Sequence, residues 1–310
     1  MLNLLELVTA ALFIGVVFSV FTAGFIVIIA KRCFIKSSPD KKPDFLDKPK
    51  IKFTIIALAI IGIVCILYGY FIEPNWIKVT NLKLVSPKIG GGGKTVRIVH
   101  ISDLHIESEG RRELAAPELI NSQNPQIIIL TGDYLNDEKG RLYLANFLSK
   151  LKAPYGIYAV PGNFEWRYKS DDILAANGVL SGNNISINLD NLNVCLYLCG
   201  LNSPTLPETL DPKQYNIFVF HSPDLIPEAT AKGFDLYLGG HTHGGQVRLP
   251  FYGALITFSK YGKKYEMGYY KENHMNAYIN SGLGMEGGFA PRVRFLSRPE
   301  IAIIDIVTPE

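Results

Sequence analysis

Residues 96–105 read VRIVHISDLH, an apolar run rich in β-branched side chains that is followed at once by an aspartate and a histidine. Such a run predicts a strand buried on both faces, as in a parallel sheet covered by helices. Two further runs have the same form, QIIILTGD at 126–133 and GIYAVPGN at 156–163, and each ends in a polar residue. Because helical patterns at 111–121 and 138–151 separate these runs, the sequence predicts an α/β fold.

Short apolar runs continue toward the C-terminus. They predict further strands at residues 179–189, 192–198, 216–220, 234–238, 277–280 and 301–307. Ligands in open α/β sheets bind beyond the carboxyl ends of the strands, where the loops diverge. We therefore expect the polar residues that follow these strands to converge on one rim, namely Asp103, His105, Asp133, Asn163, His221, His241 and His243.

The chemistry of this polar set points to metal ions. Carboxylate, amide and imidazole donors without a thiolate suit Mn²⁺, Fe or Zn²⁺. Two such ions ~3.5–4 Å apart can activate a water molecule and stabilise the charge on a transferring phosphoryl group. A lone D-x-H turn is usually only solvated, so the prediction rests on the ordered set. Of the other histidines, His100 is expected in the core or behind the ligands, and His274 is expected to be exposed.

At these positions the chain resembles the calcineurin-like metallophosphoesterases, whose signature is D-x-H, G-D, G-N-H-D/E, a later His and G-H-x-H. Here the motifs are SDLH, TGDY, GNFE, FHSP and GGHTHGG, and the resemblance extends from Val79 to the C-terminus. It implies a four-layered α/β/β/α sandwich. It also implies two divalent metal ions and a bridging hydroxide, with Asp133 shared between the ions. The implied ligands are Asp103, His105, Asp133 and His243 for one ion, and Asp133, Asn163, His221 and His241 for the other.

Phe164 departs from the family signature, because most relatives have a histidine there that stabilises the transition state and helps protonate the leaving oxygen. Losing a general acid lowers the rate by roughly 10²–10⁴. The loss matters for an alkoxide leaving group and matters little for a phosphate, which is stable as an anion. Phe164 therefore favours a pyrophosphate or another activated substrate over an alkyl phosphodiester. Alternatively, another donor lies nearby, or the site has decayed into a non-catalytic metal-binding scaffold.

Other residues near the motifs have candidate roles. Glu165 matches the acidic residue of the family motif and is expected behind the ligands. Trp166 fits either the mouth of the site or the core. Arginine forks suit phosphate oxygens, and three occur in APRVRFLSRP, of which Arg292 and Arg294 are the candidates for substrate binding.

The N-terminal part of the chain contains two uncharged apolar stretches, 7–30 and 53–72, and each reaches the ~20 residues needed to cross a bilayer. A cleaved signal peptide is disfavoured, because MLNLLE has no basic residue and the first stretch is too long. We expect a membrane anchor with two transmembrane helices at 1–72, a linker with a first strand at 73–95, and the metallophosphoesterase domain at 96–310. GGGGKT within 73–95 lacks the spacing of a nucleotide-binding loop and is typical of a flexible linker.

The charges flanking these stretches predict an orientation. Eight Lys or Arg residues lie between the spans, none precedes the first, and three lysines follow within twenty residues of the second. The positive-inside rule then predicts a multi-pass protein of the inner cell membrane, with its catalytic domain outside the cytoplasm. The GLGMEGGFAPRVRFLSRPEI stretch and this layout resemble a bacterial, membrane-anchored branch of the family.

The expected partners are the membrane and a phosphorylated, lipid-linked substrate. A net charge of +3 gives no support for nucleic acid. The family includes UDP-2,3-diacylglucosamine pyrophosphatases of lipid A synthesis. That substrate agrees with Phe164 and conflicts with the expected orientation, because UDP-sugars are cytosolic. A polyprenyl diphosphate agrees with both.

Overall fold

The computed structural model describes residues 24–26, 48–89, 95–287 and 292–309. Helix α1 (Pro49–Leu67) continues as a π-helical turn, Tyr68–Ile72, and none of the α1 residues is buried. Within the described residues this is the one helical segment long and apolar enough to cross a membrane. The stretch 7–30 lies outside the described residues apart from 24–26, so two spans remain a prediction.

Two six-stranded sheets make up most of the fold. The first contains Lys78–Val85 (β1), Thr95–Ile101 (β2), Ile127–Leu130 (β3), Ile157–Ala159 (β4), Val179–Ser181 (β5) and Glu300–Val307 (β14). Its order is β1-β14-β2-β3-β4-β5. Strands β2 to β5 are parallel to one another, and β14 runs antiparallel to β2. β1 pairs in parallel with β14 at the edge of this sheet.

The second sheet has parallel central strands and an antiparallel strand at each edge. It contains Ile185–Leu189 (β6), Val194–Leu198 (β7), Tyr215–Val219 (β8), Leu236–Gly239 (β9), Gly268–Glu272 (β12) and Met275–Ile279 (β13). The order is β12-β13-β9-β8-β7-β6, and the four central strands are parallel. Between β9 and β12, Arg248–Leu249 (β10) and Gly253–Ala254 (β11) form a small hairpin.

The prediction of one strand at 179–189 is wrong. β5 lies at the edge of the first sheet and β6 at the edge of the second, so the chain changes sheets between them. The intervening residues read GNN, and Asn184 has a left-handed backbone (φ 59°), which interrupts an extended strand. The other predicted strands are confirmed with shifts of a few residues at their ends. The predicted helix at 111–121 is α2 (Arg111–Ser122).

Helices cover the outer faces of both sheets. α2 packs on the first sheet together with α3 (Arg141–Ser149), which a 3-10 turn precedes, and α4 (Asp171–Ala176). α5 (Ile226–Lys232) packs on the second sheet. Between the sheets lies a third apolar core with fully buried members such as Ile98, Ile129 and Ile217. The chain is thus a mixed α/β protein in which helices enclose two largely parallel sheets.

The segment that follows α1 is packed into the folded domain. The carbonyl of Gly69 accepts a hydrogen bond from the backbone N–H of Arg294 (2.9 Å). The carboxylate of Glu73, which is completely buried, accepts from the backbone N–H groups of Leu296 (2.9 Å) and Ser297 (2.6 Å). The apolar helix is therefore joined to the domain by a fixed contact, and the proposed boundary at residue 72 falls inside that contact.

Candidate metal centre

The seven predicted ligands follow the carboxyl ends of five parallel strands. In chain order, β2, β3, β4, β8 and β9 lead to Asp103 and His105, Asp133, Asn163, His221, and the pair His241 and His243. The two sheets face each other, so ligands that are far apart in sequence meet at one rim. Six of the seven form two groups whose potential ligand atoms lie within 4.8 Å of one another: Asp103, His105 and His243, and Asp133, His221 and His241.

The first group is buried at the ends of β2 and β9. His105 Nε2 lies 3.1 Å from His243 Nε2, and His243 Nε2 lies 3.5 Å from Asp103 Oδ1. Asp103 also accepts the backbone N–H of His241 through both carboxylate oxygens, at 3.2 and 3.0 Å. That contact fixes the two ligand turns to each other across the sheets.

The second group centres on His221. Its Nε2 lies 2.9 Å from Asn163 Oδ1, 3.1 Å from His241 Nδ1 and 3.4 Å from Asp133 Oδ2. Asn163 is exposed whereas His221 is completely buried. Through Asn163, this group is therefore open to solvent.

Asp133 connects the two groups. Its Oδ1 accepts the backbone N–H of Phe164 at 2.8 Å, which fixes the orientation of the carboxylate. The other oxygen, Oδ2, lies 3.7 Å from His105 Nε2 and 3.4 Å from His221 Nε2. One oxygen atom therefore faces both groups, as a bridging carboxylate requires.

Hydrogen bonds leave one nitrogen on each of three histidine rings available for a cation. His105 donates through Nδ1 to Asn136 Oδ1 (2.8 Å), and His221 donates through Nδ1 to the carbonyl of Thr131 (2.6 Å). His241 faces the carbonyl of Phe258 with Nε2 at 3.4 Å. In a neutral ring, a donated N–H fixes the tautomer, so the opposite nitrogen carries the lone pair that a metal binds. In each case that nitrogen is the one that points into its group.

The donor spacing also fits metal ions. Bonds of about 2.1 Å at tetrahedral or octahedral angles place neighbouring ligand atoms about 3.0–3.4 Å apart. The five separations given above, 2.9 to 3.5 Å, lie within about 0.1 Å of that range. The residues present therefore fit divalent cations.

The protonation states in the centre also suit cations. Burial lowers the pKa of His105 and His241 to about 4, so both rings are neutral at pH 7. Burial alone would also lower the pKa of His221, but the charges of Asp133 and Asp103 together with hydrogen bonds to Asp133 and Thr131 outweigh it and raise this pKa to about 10. A cation that binds His221 must therefore displace a proton, as is usual for metal sites.

The backbone at the ligands is strained. Asp103, His105, Asp133, His241 and His243 all have positive φ, between 43° and 71°. Residues other than glycine rarely adopt this conformation, and it costs about 1–3 kcal/mol each. Five such residues in one cluster mark a site where geometry is maintained at the expense of stability.

The glycine of the G-N motif, Gly162, lets the backbone after β4 lie close to the carboxylate of Asp133. A Cβ at Gly162 would lie 2.2 Å from Asp133 Oδ1, so only glycine fits there. The carboxylate of Glu165 accepts the backbone N–H groups of Asp133 (2.9 Å), Tyr134 (2.9 Å) and Gly162 (2.5 Å). Glu165 thus holds the turns after β3 and β4 together from behind the ligands, which is the location that the sequence suggests.

The ring of Phe164 lies beside the centre, at the position where most members of the family have a histidine. It packs edge to face on His105, with ring centroids 4.6 Å apart, and stacks on Tyr168 at 6.3 Å. A phenyl ring offers no proton there. Trp166 is 82% exposed and lines a cavity of about 560 Å³ next to Asn163, so it lies at the mouth rather than in the core.

The three arginines of APRVRFLSRP lie in different environments. The guanidinium of Arg294 is completely buried and donates to the carbonyls of Ser281, Gly282, Gly284 and Ser297, an environment that does not favour the predicted substrate role. Arg292 remains a candidate, since it is partly exposed and lines a cavity beside His105. Arg298 lies over the ring of Trp76 at 4.0 Å.

Two residues close to the centre are not among the ligands. His100 is fully buried behind the ligands, 2.9 Å from Thr131 Oγ1, as the sequence suggests. Sequence reasoning missed Asn136, which orients His105 and also donates to the carbonyl of Met285 (3.0 Å). The available signal was a polar residue three positions after the aspartate of the G-D motif.

The remaining histidine, His274, is exposed, as the sequence suggests.

Comparisons with known proteins agree with this centre. The family model of the calcineurin-like phosphoesterases matches residues 96–245. The uncharacterised metallophosphoesterase YkuE of Bacillus subtilis is 32% identical over 77% of this chain and 89% of its own length. YkoQ, an uncharacterised metallophosphoesterase of the same organism, is 30% identical over 82% of this chain and 100% of its own length. The UDP-2,3-diacylglucosamine pyrophosphatase LpxG of Chlamydia trachomatis is 27% identical over 75% of this chain and 90% of its own length.

Fold and site together define a metal-dependent phosphoesterase, a hydrolase of phosphoric esters. Divalent metals are the cofactors of this class, and two Asp/His groups are present to bind them. The chain belongs to the calcineurin-like phosphoesterase family.

Proposed function

We propose that this protein is a membrane-anchored hydrolase that uses two divalent metal ions to cleave a phosphodiester or pyrophosphate bond in a lipid-linked or envelope substrate. The observation that supports it most is the position of Asp133 Oδ2, 3.7 Å from His105 Nε2 and 3.4 Å from His221 Nε2. A carboxylate oxygen shared by two sets of imidazoles is the arrangement expected for a pair of ions.

In this proposal the ligands are those that the sequence predicts. Asp103, His105, Asp133 and His243 hold one ion, and Asp133, Asn163, His221 and His241 hold the other. Mn²⁺, Fe and Zn²⁺ all suit these donors. When bound, such a pair supplies an activated water and positive charge opposite the phosphoryl oxygens. Asn136, Thr131 and Glu165 fix the rings and turns in place, so little reorganisation is needed when a substrate binds.

The residues around the centre favour a leaving group that needs no proton. Phe164 occupies the position next to His105 where a general acid would act, and Tyr168 packs behind it. A departing phosphate is stable as an anion near neutral pH, whereas an alkoxide is not. We therefore favour a pyrophosphate or a similarly activated ester over an alkyl phosphodiester.

The membrane anchor follows from the N-terminal segment. α1 and its π-helical turn extend from residue 49 to residue 72, which is about 36 Å of helix at 1.5 Å per residue. That length suffices for a hydrocarbon core of about 30 Å. The distribution of Lys and Arg then favours a multi-pass protein of the inner membrane with its catalytic domain outside the cytoplasm.

Two other functions have some support. The similarity to LpxG and the absence of a donor at Phe164 favour cleavage of UDP-2,3-diacylglucosamine, whereas the charge distribution around the spans opposes it. A non-catalytic metal-binding scaffold is supported only by Phe164.

A metal-reconstitution assay with matched histidine variants tests the proposal. With added Mn²⁺ the full-length protein should hydrolyse a chromogenic phosphodiester and a pyrophosphate. His221→Asn should lower both rates at least 100-fold, whereas the same substitution at exposed His274 should leave them unchanged. No turnover of either substrate with Mn²⁺, Fe²⁺ or Zn²⁺ bound would favour the scaffold.

A further inference from the structure

A cavity lies between the exit of the apolar helix and the metal centre. Its volume is about 280 Å³, and its lining includes Tyr70 and Asn75 from the helix exit and the candidate ligand His105. The cavity beside Asn163 is lined instead by loop residues such as Trp166 and Lys169. The first cavity therefore joins the two parts of the molecule that the sequence presents as separate, the anchor and the catalytic centre.

The helix exit cannot move freely relative to this cavity. Glu73 is bound to the backbone of Leu296 and Ser297, and Ser297 Oγ donates to the carbonyl of His243 at 2.6 Å. Hydrogen bonds thus connect Glu73, at the end of the helix, through Ser297 to the candidate metal ligand His243. A flexible tether would serve a soluble substrate equally well, whereas these hydrogen bonds keep the cavity at a fixed distance from the end of the helix.

The cavity has ion pairs on its domain side, and Tyr70, Pro74 and Asn75 border it on the helix side. Arg112 and Arg292 line it, paired with Glu113 and Glu107. The pair of Arg292 with Glu107 is partly exposed, so it is weak and a phosphate can replace the glutamate.

The helix surface next to the cavity is apolar and open. Phe71 and Ile72, next to Tyr70, are 63% and 54% exposed, and Trp76 is 52% exposed. Aromatic side chains at the end of a membrane-spanning helix lie at the headgroup level. The cavity, which Tyr70 also lines, is then level with the lipid headgroups.

We propose that the substrate is an amphiphile whose phosphoryl head enters this cavity while its apolar chain remains in the bilayer beside α1. This inference rests on the proposed function and specifies the route by which the substrate reaches the centre. For a long-chain diphosphate, water adds to the terminal phosphorus and the P–O–P bond breaks. The products are the long-chain monophosphate, inorganic phosphate and a proton.

The test compares two diphosphates that differ only in their organic group. The full-length protein in phosphatidylcholine vesicles with Mn²⁺ is given farnesyl diphosphate or methyl diphosphate, and inorganic phosphate release is measured. We expect kcat/KM to be at least 10-fold higher for farnesyl diphosphate. Partition of the farnesyl chain into the vesicles contributes to this ratio, so variants are needed to isolate the cavity.

Ser108→Trp places a bulky ring at the exposed rim of the cavity, and Asn75→Trp does the same from the helix side. Both should lower the farnesyl-to-methyl ratio at least 10-fold. Ser122→Trp, at the far end of α2, is the matched control and should keep the wild-type ratio. Equal kcat/KM for the two diphosphates, or an unchanged ratio in both cavity variants, would overturn the inference.

Two other outcomes separate this inference from the proposed function. If neither diphosphate is cleaved while the chromogenic diester is, the inference fails and phosphoester hydrolysis stands. If the diester is not cleaved either, although the protein is folded and loaded with Mn²⁺, both fail.

Discussion

Replacing Phe164 with histidine tests whether this centre is adapted to leaving groups that need no proton. The substitution should preserve the turn, because the contact of residue 164 with Asp133 Oδ1 is made by its backbone N–H at 2.8 Å. The edge-to-face contact with His105 would change from phenyl to imidazole, and such aromatic pairs are worth about 0.5–1.5 kcal/mol. Any loss of stability should therefore remain small compared with the stability of a whole domain.

The expected gain is a proton donor beside the phosphoryl site. A well-placed general acid contributes about 10²–10⁴ in rate. The ring at 164 contacts both His105 and Tyr168, and these contacts restrict how an imidazole can be placed, so the minimum gain that we expect lies below that range. For an alkyl phosphodiester, kcat/KM of Phe164→His should rise by ~10-fold or more, equivalent to about 1.4 kcal/mol of transition-state stabilisation. For a pyrophosphate, kcat/KM should change little.

The assay measures kcat/KM for both substrates in the same preparation and compares their ratio. Changes in metal content or folding affect both substrates and cancel in the ratio. Phe164→Leu is the control, since it removes the aromatic ring without adding a donor. An unchanged ratio with intact metal content would count against the reasoning. A wild-type protein that already cleaves alkyl phosphodiesters as fast as pyrophosphates would refute it.

Three further predictions concern the metals and the anchor. Asp133→Asn should abolish activity and strongly lower metal content at both sites, and a purified variant with wild-type metal content and rate would contradict the shared-ligand assignment. Chelation should lower the melting temperature by about 5–10 °C, reversibly with Mn²⁺, because ligands that bind only the folded state stabilise it; an unchanged value would argue against bound metal. A chain beginning at residue 73 should be soluble and folded. A chain beginning at residue 77 should unfold at a lower urea concentration than the chain beginning at residue 73. The shorter chain lacks Glu73, so the N–H groups of Leu296 and Ser297 lose their acceptor. Equal unfolding midpoints for the two chains would show that Glu73 adds no stability.

The sequence by itself determined the strand pattern and the identity of the candidate ligands. Each candidate ligand follows a short apolar run within a few residues, so its position along the chain suffices to find it. Asp133 at the end of QIIILTGD and His221 at the end of NIFVF are examples. The sequence pattern wrongly predicted one strand at 179–189. The polar turn at 182–184, which links a strand of the first sheet to a strand of the second, resembles a short interruption within a single strand.

Only the tertiary structure decided which side chains are buried, which line a cavity and which distant residues they bind. Arg292 and Arg294 look equivalent in the sequence, yet the backbone carbonyls of the surrounding turns enclose Arg294 and leave Arg292 at a cavity. Glu73 looks like the start of a linker, yet it binds Ser297 across 224 positions of sequence. Local patterns encode backbone period and polarity, whereas burial and hydrogen-bond partners depend on distant segments that approach only when both sheets have formed.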